Sequence, residues 1–266
     1  MRIATLNVNG IRAATRRGLA GWLTERDCDI VALQEVRCPA SLLPVDALAG
    51  YHVSYHEGDH PGRNGVAVLS REAPLATRHG FGYRHDAEGR YLEVDFPSLR
   101  VGSLYLPKGG IPDGDAGEVD RYRRKMRFLR SFRGYLTRTR REAQAAGQEL
   151  VVLGDFNIAH TRLDLKNWRT NQKSPGFLAE EQEWFDSILG SRSLVDVVRR
   201  LHPDTDGPYS WWSWRGQSFA QDTGWRIDYH LASPGLAGRA CRGGSDRSVD
   251  YDSRLSDHAP VVVDYA

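Results

Sequence analysis

The sequence predicts one α/β domain spanning residues 1–266, and three observations carry that prediction. Short apolar segments bounded by turn residues recur along the chain, stretches with helical spacing fall between them, and no Pro-rich or Gly/Ser-rich linker interrupts the series. The strand candidates are residues 2–6, 29–33, 51–55, 65–69, 91–96, 100–106, 150–153, 225–231 and 260–263. Several, such as IVAL at 30–33 and LVVL at 150–153, are almost wholly apolar, as strands buried on both faces are. The longest helix is expected over 118–146, where Tyr122, Met126, Leu129, Phe132 and Leu136 fall at steps of four and three and share one face. Shorter helices are expected over 18–26 and 178–189. Residues 168–176 and 203–224 read as functional loops, because structureless stretches of that size are uncommon in a compact domain.

The 266 residues are 40% hydrophobic and 26% charged, enough to bury a core and unlike a disordered chain. The longest apolar runs are a few residues, against the ~20 that a membrane-spanning helix needs, so no membrane crossing is expected. Asn7, Asn9 and Arg12 interrupt the N-terminal segment where a secretory signal would be unbroken and apolar. Cys28, Cys38 and Cys241 are three cysteines with no CxxC or zinc-type spacing, which points to reduced thiols and a cytoplasmic location. Net charge is only +2, yet ten basic residues and no acidic one lie between Arg121 and Arg141, a run read as a solvated helix face.

Function is expected where strands end, because loops at the edges of α/β sheets gather binding and catalytic groups. Residues 3–6 run into Asn7 and Asn9, and 30–33 into Gln34 and Glu35. Residues 150–153 run into Gly154, Asp155, Phe156 and Asn157, and Ser256, Asp257 and His258 precede the last strand. One such ending is ordinarily a turn or a helix cap. Four together form an inventory of hard oxygens, with His258 as the one imidazole, which suits Mg²⁺ or Mn²⁺ better than zinc. Mg²⁺ held by one or two carboxylates is a common arrangement in phosphoryl chemistry.

The motifs LNVNGIRA, LQE at 33–35, LYLP at 104–107, GDFNIAH at 154–160, GWRIDY at 224–229 and SDHAP at 256–260 make the resemblance specific. In this order the chain resembles the endonuclease/exonuclease/phosphatase superfamily, and within it the exonuclease III branch of AP endonucleases. GFLAEEQEWF at 176–185 and GWRIDY are the segments most typical of that DNA-repair branch. The resemblance implies a four-layer α/β sandwich, two stacked mixed sheets flanked by helices, with the site at one edge. It implies a Mg²⁺-dependent nuclease, with Mn²⁺ able to substitute, that acts as a monomer on double-stranded DNA carrying abasic sites or 3′ ends.

Carried over residue by residue, the resemblance makes Glu35 the principal metal ligand, with Asn7 and Asp257 beside the metal. Asp155 orients or deprotonates the attacking water, and Asn157 is the amide next to it. His258, paired to Asp228, contacts the scissile phosphate, and the Tyr105 phenol faces the same group. Trp211 and Trp225 wall a pocket for a deoxyribose without its base, Arg215 inserts into the helix, and Asn171 contacts the backbone. Two positions depart from the family pattern. Lys108 stands where relatives carry Asn or Gln and is expected to meet phosphate as a cation. Ser174 and Pro175 replace an Asn followed by a small residue.

The activity so implied is in-line hydrolysis 5′ to abasic sites, with 3′–5′ exonuclease and 3′-phosphatase action. The metal-centred motifs are shared with phosphodiesterases and phosphatases of the same fold that act on lipid, inositol or nucleotide substrates. GWRIDY, Trp211 and the 176–185 segment argue against that reading. A non-catalytic RNA-binding member of the fold is disfavoured because each of the catalytic side chains is retained.

Overall fold

The computed structural model describes residues 1–60, 62–84 and 86–266. In chain order the elements are β1 (Arg2–Asn7), α1 (Ile11–Arg16), α2 (Leu19–Arg26), β2 (Ile30–Gln34), β3 (His52–His56), β4 (Val66–Ser70), β5 (Ala76–His79), β6 (Tyr91–Asp95) and β7 (Leu99–Tyr105). They continue with α3 (Ala116–Ala145), β8 (Glu149–Asp155), α4 (Ala179–Ile188), β9 (Val195–Asp196), α5 (Val197–Leu201), β10 (Asp228–Ala232), α6 (Pro234–Gly238), β11 (Ala240–Ser245) and β12 (Val261–Tyr265). One sheet has the order β11-β12-β1-β2-β4-β3 and the other β5-β6-β7-β8-β10-β9. Each is built on a central parallel pair, β1 with β2 and β7 with β8, and is antiparallel elsewhere.

Side chains alternate across a strand, so each sheet has one face for its partner sheet and one for helices. Ile3, Ala32 and Val68 of the first sheet meet Val94, Val101 and Leu153 of the second in the central core. On the far side of the first sheet, Ala4, Leu6, Val31 and Leu33 pack with Ile11 of α1 and Leu19 and Leu23 of α2. On the far side of the second, Leu150 and Val152 pack with Phe128 and Phe132 of α3 and Trp184 and Phe185 of α4. The layers therefore run helix, sheet, sheet, helix, the sandwich that the resemblance implies.

Three differences from the sequence reading have physical causes. The strands β5, β9 and β11 lie at sheet ends and lack an apolar pattern: β5 is mostly exposed, β9 has two residues and β11 contains two glycines. Trp225 makes only isolated bridges to Leu165 and Trp211, and the β10 ladder starts at Asp228. The buried face of α3 runs through Lys125, Phe128, Leu129, Phe132, Tyr135, Leu136, Thr139 and Ala143, leaving Tyr122 and Met126 on its flank. The basic run is thus not wholly solvated. Lys125 is buried, with its ammonium 2.6 Å from Glu181 of α4.

A second buried ionic group fixes the chain just before β10. Arg226 donates from Nε to Asp164 at 2.7 Å and with both terminal nitrogens to Asp196 at 3.0 and 2.7 Å. Arg199 adds a bond to the same Asp164 oxygen at 2.5 Å. Burial alone would raise the Asp164 carboxyl, but the guanidiniums of Arg226 and Arg199 reverse that and hold it at about 2. Its stabilising contribution is therefore present above its unfolded value of about 3.9 and is lost as pH falls toward 2. Asp164→Asn leaves buried guanidiniums under-compensated and is expected to lower unfolding free energy by about 3–5 kcal/mol at neutral pH in urea denaturation. A loss below ~1 kcal/mol would show that the network is replaceable by neutral hydrogen bonds.

Candidate active site

The alternation that builds the core also builds the site. On the inner faces, Ile3 is followed two residues at a time by Thr5 and Asn7, Ala32 by Gln34, Val101 by Ser103 and Tyr105, and Leu153 by Asp155. The inter-sheet space therefore turns from apolar to polar at one end. Register aligns these ends: Asn7 lies opposite Gln34, Tyr105 opposite Asp155, and Asp155 opposite Asp228. Because β12 runs antiparallel to β1, the segment before it, with Asp257 and His258, arrives at the same edge. Gly154 permits the close β7–β8 approach there, since a Cβ at this position would lie 2.1 Å from the Leu104 carbonyl oxygen.

Asp155 is the centre of the arrangement. Its Oδ2 accepts from Asn7 Nδ2 at 2.9 Å and from Asn157 Nδ2 at 3.2 Å, and its Oδ1 accepts the Asn157 N–H at 2.8 Å. Burial, reinforced by the Asp228 and Glu35 carboxylates, pushes the Asp155 carboxyl well up, with His258 working against the shift. His258 Nε2 stands 3.8 Å from Asp155 Oδ2, while its Nδ1 faces Asp228 Oδ2 at 2.8 Å. Burial lowers the imidazole's affinity for a proton, but Asp228 first, and then Asp155 and Asp257, outweigh it and raise His258 to about 10. The ring is therefore an imidazolium at neutral pH. Ser210 holds the other end of this pair, donating to Asp228 Oδ2 at 2.6 Å. Tyr105 is raised by burial and by Glu35 and Asp155, so its phenol keeps its proton.

Asn7, expected beside the metal, stands between two of the site's carboxylates. Its amide oxygen accepts the Asn9 N–H at 3.0 Å, and its nitrogen spans Glu35 Oε1 at 2.8 Å and Asp155 Oδ2. Two neighbouring buried carboxylates need a donor between them, and Asn7 supplies it. Asp257 likewise holds neutral donors, Asn9 Nδ2 at 2.9 Å and the Trp211 indole N–H at 3.1 Å. The other oxygen of Glu35 carries the Arg37 guanidinium.

These groups open on a cleft of about 470 Å³. Trp211, Trp225 and Ile227 form its apolar wall, the two indoles meeting edge to face at 6.3 Å. Glu35, Tyr105, Asp155, Asn157, Asp257 and His258 line its polar side, with Lys108 and Asn171 also on its surface. Ser174, one of the departures, also lines it and donates to Asn171 Oδ1 at 3.0 Å. Asn7 and Asp228 stand behind the lining, buried. Arg215 is exposed on the neighbouring loop and is not part of the cleft wall.

With this geometry in hand, comparison with known proteins is direct. The sequence pattern of the "Endonuclease/Exonuclease/phosphatase family" matches residues 4–258. The chain belongs to the endonuclease/exonuclease/phosphatase family. An exodeoxyribonuclease of Bacillus subtilis is 33% identical over 99% of this chain and 98% of its own length. The DNA repair nuclease APEX1 of Danio rerio is 33% identical over 99% of this chain and 81% of its own. Among solved structures, an AP endonuclease from Archaeoglobus fulgidus superposes with a TM-score of 0.87 at 28% identity, covering 100% of this chain and 99% of that one. A 3′ phosphatase from Neisseria, solved with product DNA hairpin, matches with the same score and coverage.

The chemistry of this family member's donor set fits a divalent cation. Three carboxylates, Glu35, Asp155 and Asp228, are buried at the cleft and Asp257 is half-buried at its edge; among the described residues the side-chain cations within ion-pair distance of them are His258 and Arg37. Among the described residues no three His, Cys, Asp or Glu side chains form a metal cage. A hard ion that keeps most of its water needs only one or two carboxylates.

Sequence reading named Asn9 only as a polar strand ending without a role, and missed Arg37 and Ser210 as site residues and the buried Lys125–Glu181 pair behind the loops. Asn9, Glu35, Arg37 and Asn157 all have left-handed backbone, with φ between 45° and 51°. Such non-glycine conformations concentrate at functional sites but carry no sequence pattern of their own.

Asp228 is expected to set the protonation of His258. Side-chain NMR should find the wild-type ring titrating well above an ordinary imidazole, and Asp228→Asn should bring the titration clearly down, because the largest favourable charge is removed while burial remains. An unmoved titration would exclude Asp228 as the partner that charges the ring.

Proposed function

We propose that the chain is a Mg²⁺-dependent DNA-repair nuclease of exonuclease III type, a single catalytic domain acting as a cytoplasmic monomer. It cuts the phosphodiester 5′ to abasic sites and removes nucleotides or phosphate from 3′ ends of duplex DNA. The observation that carries this reading is the pairing, in one cleft, of a buried carboxylate–imidazolium centre with a wall of two indoles. The first suits attack on phosphorus; the second suits a sugar that has lost its base.

Asp155, fixed by Asn7 and Asn157, orients a water toward phosphorus and takes its proton, as a carboxyl with raised proton affinity can near neutral pH. His258, charged and held by Asp228 and Ser210, donates to the phosphoryl oxygens as negative charge grows on them. Tyr105 keeps its proton for the phosphate or for the departing 3′ oxygen. Glu35, with Asp257 near the edge, would hold Mg²⁺, or Mn²⁺ in its place. When bound, the ion supplies Lewis-acid stabilisation of the same developing charge. Trp211 and Trp225 accept a deoxyribose that carries no base, and extrusion is easiest where pairing is already lost. Asn171 and Lys108 contact the flanking backbone, and Arg215 reaches the duplex from its loop.

The decisive test is a duplex with a central tetrahydrofuran abasic analogue, labelled at either end and incubated with Mg²⁺ or with EDTA. A single EDTA-sensitive cut 5′ to the analogue is expected, together with shortening from 3′ ends. No cut with any divalent metal would discard the reading in favour of another phosphoester substrate. Trp225→Ala is expected to reduce abasic incision more than digestion of undamaged 3′ ends, by about tenfold in kcat/KM. Equal losses would remove Trp225 from the sugar pocket.

A further inference from the structure

Lys108 differs from the other cations that line the cleft. Arg37 is paired with Glu35 and His258 with Asp228. Among the described residues, the Lys108 ammonium has no hydrogen bond and no carboxylate within 4 Å, and the side chain is exposed. It stands at a junction: Tyr105, Lys108 and Pro175 line both the cleft and an adjoining hollow of about 380 Å³, whose charged edge is Arg90, Arg121, Arg124 and Glu118. Those guanidiniums are already engaged, Arg90 and Arg124 by Glu88 and Arg121 by Glu118. Among the described residues Lys108 is therefore the cleft cation without an ion-pair partner of its own, open to a phosphate that occupies the cleft.

Two of the activities proposed above break the same bond. In abasic-site incision and in removal of a 3′-phosphate, water attacks phosphorus, the bond to O3′ breaks, and O3′ leaves as a hydroxyl. The products differ only in what phosphorus still carries: a 5′-phosphate on the abasic sugar in one case, inorganic phosphate in the other. Before the reaction the difference is one of charge, because a diester bears about −1 and a terminal monoester about −1.5 to −2 at pH 7. The attraction of a compact ammonium for its ligand scales with that charge, and among the described residues no carboxylate within ion-pair distance competes with the phosphate for the Lys108 ammonium.

We propose that Lys108 is a specificity-determining residue that biases the cleft toward 3′-phosphate monoester ends over internal phosphodiesters. This rests on the nuclease reading above. The test measures kcat/KM on two duplexes, one with a 3′-phosphate at a nick and one with an internal tetrahydrofuran site, for the wild type, Lys108→Gln and Lys108→Arg. Both activities should fall in Lys108→Gln, the 3′-phosphate activity by about tenfold more, and Lys108→Arg should restore the wild-type ratio. The wild-type ratio should also drop as pH is lowered from about 7.5 to 5.5, through the monoester's second ionisation near 6, and should be flatter in Lys108→Gln. Equal falls on both substrates, or an unchanged ratio, would overturn the role of Lys108 and leave the nuclease reading standing. A wild type inactive on both duplexes would overturn both.

Discussion

The structure turns on one costly feature, a carboxylate buried between two sheets. Asp155 lies on the inner face of β8 where the inter-sheet space would otherwise continue as Val151 and Leu153 do. A charge in that position is tolerated only if partners surround it, and each partner comes from a different stretch of chain: Asn7 from β1, Asn157 from the loop after β8, His258 from the segment before β12. Asp228 from β10 and Ser210 from the long loop then complete the group around His258. No single sheet contains the set. The centre exists only when the two sheets are stacked in register, which makes catalytic geometry a direct readout of the fold.

Two further buried ionic groups hold the walls of the cleft. Lys125 donates to the carbonyls of Lys108 and Asn157 at 3.1 and 2.9 Å, while Glu181 accepts the N–H groups of Gly176 and Leu178 at 2.7 and 3.0 Å. One ion pair thus ties the β7–α3 connection and both ends of the β8–α4 connection to α3 and α4. Arg226 does the same for the aromatic wall, anchoring the residue after Trp225 to Asp164 and Asp196. An apolar core of equal volume would often be as stable as such pairs. What the pairs add is direction: each satisfies a defined set of backbone groups and so fixes where the loops run.

Much of this was legible in the sequence, and the legible part has a common cause. Strands such as 30–34 and 149–155 are buried on both faces, so their apolar runs announce them, and the polar residues that end them announce the site. Glu35, Asp155, Asn157, Asp257 and His258 could be picked out for that reason and do share one cleft. Edge strands and one-turn helices have no such pattern, because most of their side chains face water or are too few to show a period. The amide orientation of Asn7, the guanidinium of Arg37 on Glu35 and the hydroxyl of Ser210 under Asp228 were invisible for another reason. The Asn7 and Ser210 contacts cross many residues of chain, and the Arg37–Glu35 contact, though only two residues apart, depends on left-handed backbone at both positions that no sequence pattern marks. Lys125 was misread as part of a solvated run because its compensation, Glu181, lies on another helix.

The charges of the site also explain why its backbone is unusual. Three buried carboxylates and the half-buried Asp257 repel one another, and the protein answers with two cations, a bridging amide and an indole N–H rather than with full pairing. Full pairing would be more stable and chemically inert, since each carboxylate would lose its free lone pairs. The site instead keeps Asp228 Oδ1 without a hydrogen bond among the described residues and Asp155 with a raised proton affinity. The left-handed backbone at Asn9, Glu35, Arg37 and Asn157 is the conformational side of the same arrangement. Each such turn costs of order 1 kcal/mol and is sustained by the core on either side. A sandwich with two closely packed sheets can sustain this, and that is the physical reason the site sits at the sheet edge rather than on a free loop.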